Sequence, residues 1–192
     1  MAKEGERARF VCDAMLGRLC KWLRLVGYDC RYADVSDDEL VALAGAEKRV
    51  VLTRDTSLVR RRDLGAHLFI RHDHVQDQMK QVAEVFGIDL EARAGTRCLR
   101  CNVALEGLAR EAAAGRVPPY VWRTQENFWR CPSCARVYWP GTHWEHMTAA
   151  LRGLAGAAAS ARTEGQGLRT ESQPESSVLS PQSSSLGGGG CD

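Results

Sequence analysis

Between residues 9 and 87 the chain repeats one arrangement four times: a short, largely apolar run, then a segment whose apolar residues recur three or four positions apart. The runs cover residues 9–12, 30–33, 50–53 and 66–70. Strands that are apolar throughout, rather than at every second position, are buried on both faces, which predicts a mostly parallel sheet flanked by helices. The intervening segments fit that architecture. Leu16, Leu19, Leu23 and Val26 share one helical face before Gly27 stops the helix. Ser36 and Glu39 have the spacing of a capping box ahead of Leu40, Leu43 and Ala44, and Val75, Met79, Val82 and Phe86 form a last stripe. The expectation is an α/β domain over residues 9–95.

A parallel sheet brings the carboxyl ends of its strands to one edge, where such folds bind ligands. Asp13, Asp55 and Asp73 each follow one of the runs, and Asp37 and Asp38 open the second helix. Carboxylates on a shared edge offer hard oxygen donors suited to Mg²⁺ or Mn²⁺. A bound metal turns water into a nucleophile at neutral pH and offsets charge on a phosphoryl group. Taken singly, each acid also fits a turn or a helix cap, and the dipole of the second helix favours Asp37 and Asp38 whatever the chemistry.

The 26 basic and 24 acidic residues nearly cancel, so affinity for nucleic acid must come from local patches. Arg18, Lys21 and Arg24 recur every three residues opposite the apolar face of the first helix, while Arg54, Arg60, Arg61 and Arg62 flank Asp55. Such positions suit contacts to backbone phosphates, or else form solvated helix faces.

From residue 96 the character changes. Cys98-x2-Cys101 and Cys131-x2-Cys134 have the spacing of a zinc ribbon, two turns giving four thiolates to one tetrahedral ion, with an elaboration over residues 106–114 between them. A four-cysteine site has no open position, so Zn²⁺ there would be structural. His143 and His146 lie too close to Cys134 for a two-cysteine, two-histidine finger and are expected to pack or to contact phosphate. Cys12, Cys20 and Cys30 fall within the apolar pattern as buried thiols, and Cys191 does not meet the prenylation pattern. The charged N-terminus and the lack of a long apolar stretch predict a protein of the cytoplasm or nucleus with no membrane partner. The ribbon is expected over residues 96–151, and the Ser-, Gly- and Pro-rich residues 152–192 as a disordered tail.

FVCDAMLGRLCKWLRLVGYD, DDEL, VVLTRD, RCLRCN, FWRCPSC and VYWPGTHWEHM, in that order, resemble the blocks of the Mut-seven C-terminal ribonuclease domain family. The resemblance spans residues 10–151 and implies a PIN-like nuclease core joined to a zinc ribbon, with metal-dependent cleavage of RNA by an acidic cluster. It places the cluster on Asp13, Asp37 and Asp55, with Asp73 or Asp77 as the fourth acid, and the zinc on the four ribbon cysteines. In animals the domain also ends larger proteins that carry a 3′–5′ exonuclease domain. Asp89-x-Glu91 and Asp37-x-Glu39 mimic an exonuclease pair, but too little sequence follows either for the rest of that fold. The competing class is a non-catalytic RNA-binding or assembly module whose acids are structural.

Overall fold

A computed structural model describes residues 8–141 together with Ala149 and Gly153. His143, His146 and, apart from Gly153, the tail lie outside the described residues. The first half forms four strands, β1 (Phe10–Cys12), β2 (Cys30–Tyr32), β3 (Val50–Thr53) and β4 (His67–Phe69), in the order β2-β1-β3-β4. All three pairings are parallel, with Phe10 opposite both Cys30 and Val50, and Leu52 opposite Leu68. The helices are α1 (Gly17–Leu25), α2 (Asp37–Glu47), α3 (Thr56–Val59) and α4 (Val75–Phe86). No helix of the described residues is long and apolar enough to cross a membrane.

Alternation along the strands divides the core. Phe10, Cys12 and Leu52 pack with Leu19, Leu23, Met79 and Val82 of α1 and α4, while Val11 and Val51 pack with Leu40, Ala44 and Leu58 of α2 and α3. Both faces of the sheet are therefore covered, which is why its strands carry so few polar residues. Local signals set the helix limits. Ser36 Oγ accepts from the Glu39 amide at 3.4 Å while Glu39 Oε2 accepts from the Ser36 amide at 3.0 Å, closing the expected capping box on α2. After α1, Gly27 adopts φ 86°, and a Cβ there would stand 2.7 Å from the Arg93 carbonyl, so no other residue fits the turn.

The second half contains β5 (Glu106–Leu108), α5 (Arg110–Ala113), α6 (Pro119–Thr124), β6 (Phe128–Arg130) and β7 (Val137–Tyr138). The three strands form an antiparallel sheet in the order β5-β6-β7. Its core is small: Ala113, Val117 and Phe128, edged by Leu108, Val121 and Val137.

Buried arginines tie the halves together. Arg24 donates through Nε to the Cys30 carbonyl at 2.8 Å and through Nη1 to the carbonyls of Leu99 at 2.8 Å and Arg100 at 3.1 Å. Arg49 grips Asp29 with both terminal nitrogens, at 2.7 and 3.2 Å, and Asn102 Nδ2 donates to the same carboxylate at 2.6 Å. Burial disfavours the charged form of Asp29, yet the hydrogen bonds from Arg49 and Asn102 and the Arg49 charge outweigh it and bring its pKa down to about 2. A depressed carboxylate pKa contributes stability that is complete above the unfolded value near 4 and lost as pH falls toward 2. Unfolding by urea across this range should show the wild type losing stability more steeply than Asp29→Asn, the two converging near pH 2.

Candidate active site and metal centre

The strand order reverses beside β1: the chain moves from β1 outward to β2, then crosses back to β3 and β4 on the other side. Such a switch point opens a crevice at the carboxyl ends of the two strands that flank it, here β1 and β3. Asp13 follows β1 and Asp55 follows β3 closely, so two acids stand at that edge of the sheet. Asp13 is only 9% exposed. Its Oδ1 accepts from the Met15 amide at 2.9 Å, and its Oδ2 accepts from the Thr53 hydroxyl and from the Arg54 amide at 3.3 Å. Thr53 Oγ1 in turn accepts from the Asp55 amide at 2.9 Å. One hydroxyl thus joins the Asp13 carboxylate to the Asp55 backbone across the β1–β3 pairing. The sequence reading missed Thr53, whose side chain looks like ordinary strand filler until its neighbour is known.

Asp55 caps α3. Its Oδ1 accepts from the amides of Ser57 at 2.7 Å and Leu58 at 3.3 Å and from the Ser57 hydroxyl at 2.5 Å. The Ser57 hydroxyl and the two amides hold its pKa below the usual carboxylate value, so Asp55 is ionised at neutral pH. Every one of these bonds uses Oδ1, which leaves Oδ2 open. Asp73 is exposed and paired with Arg54, and Asp38 is exposed and accepts from Arg61 Nη1 at 2.7 Å. Asp37 stands exposed in the first turn of α2, and Asp77 lies in the first turn of α4. Asp89 accepts from the amides of Glu91 and Ala92 at 2.9 and 3.0 Å, a loop role unconnected with the crevice.

The acids do not all meet. Among the described residues no three of their oxygens lie within 4.8 Å of one another; the groups that do converge so closely are cysteines. Asp13 and Asp55 follow the paired strands β1 and β3, while Asp37 and Asp38 stand in the first turn of α2 and Asp77 in that of α4, so the expected cluster is not one close group. Mg²⁺ or Mn²⁺ in general needs only one or two carboxylates, with water and substrate phosphate completing the shell.

The basic residues divide by burial. Arg18 and Lys21 are exposed on α1, and Arg18 lies in the turn nearest the carboxyl edge. Arg24, expected on the same stripe, is buried and bonded to three carbonyls. The helix runs away from the edge at about 1.5 Å per residue, so Arg24 reaches the cysteine turn at the far end instead. The arginine run departs from expectation too. Because α3 ends at Val59, Arg60 is its C-cap and Arg61 and Arg62 lie beyond the helix. Arg61 is held between Asp38 and Asp63, while Arg60 and Arg62 are exposed.

The four later cysteines come together. Cys98, Cys101, Cys131 and Cys134 place their sulfurs within 4.8 Å of one another, Cys98 and Cys134 being 3.9 Å apart. The two turns match bond for bond. Cys101 and Cys134 donate their amides to the sulfurs of Cys98 and Cys131 at 3.3 and 3.4 Å, and Asn102 and Ala135 follow with φ of 62° and 58°. Burial raises the Cys98 thiol, but the Tyr138 hydroxyl at 3.1 Å and the amides of Cys101 and Arg100 outweigh it and bring its pKa to about 6. Four soft donors at these separations fit a tetrahedral ion such as zinc.

A family model described as the Mut7-C RNAse domain matches residues 8–151. No curated protein and no solved structure gives a match.

Proposed function

The chain belongs to the Mut7-C RNAse domain family, and from that premise we propose that it hydrolyses RNA phosphodiester bonds at the carboxyl edge of β1 and β3 with Mg²⁺ or Mn²⁺. The observation that carries this reading is the chain of hydrogen bonds from the Asp13 carboxylate through the Thr53 hydroxyl to the Asp55 backbone amide at the switch point of the sheet. Asp13 and Asp55 would hold the metal, and Asp37 and Asp73 are the further acids that could take part. When bound, the metal supplies an activated water and offsets charge on the phosphoryl group. Thr53 fixes the Asp13 carboxylate, and the α3 cap holds Asp55 through Oδ1, leaving Oδ2 outside those bonds.

Arg18, Lys21, Arg60 and Arg62 are the exposed cations available to the strand on either side of the scissile bond, and Arg54 would join them by leaving Asp73. Arg24 is spent on the cysteine turn. In this reading residues 9–95 form a PIN-like nuclease core, and residues 96–151 form a zinc ribbon with structural Zn²⁺ on Cys98, Cys101, Cys131 and Cys134. The unpaired cysteines suit a reducing compartment, the cytoplasm or nucleus.

The test is cleavage of labelled single-stranded and duplex RNA and DNA with Mg²⁺, Mn²⁺ or EDTA. Cleavage of RNA that EDTA abolishes is the expected result. Binding without cleavage under every condition would favour the non-catalytic module, a reading to which the capping bonds of Asp55 lend weight. Arg18→Ala combined with Arg54→Ala should weaken binding of single-stranded RNA similarly across sequences. The slope of log affinity against log salt should fall by about 0.7 for each lost phosphate contact. An unchanged slope would mean that both side chains are only solvated surface.

A further inference from the structure

Cys12, Cys20 and Cys30 come from β1, α1 and β2, and each is at most 1% exposed. Their three sulfurs lie within 4.8 Å of one another, Cys12 and Cys30 being 3.5 Å apart. A disulfide requires about 2.05 Å, so no bond joins them. Sulfurs sharing one ion at the usual metal–sulfur distance of about 2.3 Å stand about 3.8–4.0 Å apart. The Cys12–Cys30 pair is within about 0.3–0.5 Å of that value, and all three sulfurs are within 4.8 Å, the same limit that holds the four later cysteines, of which Cys98 and Cys134 are 3.9 Å apart. We propose that Cys12, Cys20 and Cys30 form a second metal site, a three-thiolate pocket that takes one monovalent copper ion.

The donor set selects the ion. Three thiolates with no carboxylate or imidazole in the group exclude the hard cations that prefer oxygen. Structural zinc takes four protein ligands, and no fourth donor joins this group among the described residues. Copper(I) is soft and accepts three sulfurs. On binding, the thiols release their protons to solvent and the complex keeps negative charge. Arg24 stands beside it, its Nε 2.8 Å from the Cys30 carbonyl that Cys20 Sγ also contacts at 3.4 Å. Because the pocket is sealed, the ion enters as the chain folds. The site also adjoins Asp13, the next residue after Cys12, so its occupancy would set the end of β1 at the acidic crevice.

The experiment refolds the full chain without oxygen with one equivalent each of zinc and copper(I) present together, followed by exchange against a copper(I) chelator. About one retained copper per chain is expected, with three sulfur neighbours at about 2.2–2.3 Å by X-ray absorption and zinc content unchanged. Cys20→Ala should keep its zinc and its circular dichroism but lose copper affinity by more than about a hundredfold. Cys20→Ser serves if the alanine variant does not fold, and the sulfur count on the unsubstituted protein stands without either. Copper removed completely by the chelator would reduce the three thiols to core packing. Four sulfur neighbours with zinc expelled, or equal copper in the variant, would assign the metal to the later cysteines and overturn the proposal.

Discussion

Replacing Asp55 with Asn should lower the rate of RNA hydrolysis by about a hundredfold to a thousandfold or more, the loss expected when one preorganised charged group is taken from an active site. Stability should barely change. Asparagine caps helices about as well as aspartate, and its side-chain oxygen can still accept from the Ser57 and Leu58 amides that Asp55 Oδ1 serves. Single-turnover cleavage beside urea unfolding separates the two effects. Full activity in a folded Asp55→Asn protein would reduce the residue to a cap. Asp13→Asn is a less clean probe, because an amide nitrogen in place of Oδ2 would face the Thr53 hydroxyl and the Arg54 amide, both donors. An unsatisfied buried group of that kind costs about 1–3 kcal/mol by itself.

If Cys98, Cys101, Cys131 and Cys134 hold zinc as proposed, removing it should unfold the second half of the chain while the parallel sheet persists. Structural zinc contributes about 10–16 kcal/mol in small domains, and a core of Ala113, Val117 and Phe128 cannot replace it. Hydrogen exchange after chelation, or in Cys131→Ser, should show protection lost over residues 96–141 and kept in β1, β3 and α4. The Cys30 amide should lose protection as well, because it donates to Asn102 Oδ1 at 3.1 Å. Full protection in zinc-free protein would mean that the four cysteines are held by packing alone.

Much of this arrangement is legible in the sequence, and most of what is not depends on long-range contacts. The capping box of Ser36 and Glu39, the buried stripe of Leu16, Leu19, Leu23 and Val26, and the two CxxC turns are local patterns, and the structure keeps each of them. The two-sided burial of the strands announced a parallel sheet. Strand order is another matter. Nothing near Asp13 or Asp55 says that β1 and β3 are neighbours, so their link through Thr53 is invisible in a chain where they lie far apart. Arg24 failed for the same reason: its spacing from Arg18 and Lys21 describes one helical stripe, but the Leu99 carbonyl that captures it belongs to a distant turn. Arg60, Arg61 and Arg62 leave the helix because α3 makes only a single turn. Cys12, Cys20 and Cys30 occupy positions that any small apolar residue could fill, and only the packing of α1 against β1 and β2 brings their sulfurs together.

Manganese anomalous scattering from crystals of the chain tests the acidic crevice most directly. A peak with Asp55 Oδ2 among its ligands and Asp13 within its first or hydrated shell, absent in Asp55→Asn crystals grown the same way, is the predicted result. No peak at the β1–β3 edge at millimolar Mn²⁺, in protein that still cleaves RNA, would place the chemistry elsewhere and contradict it.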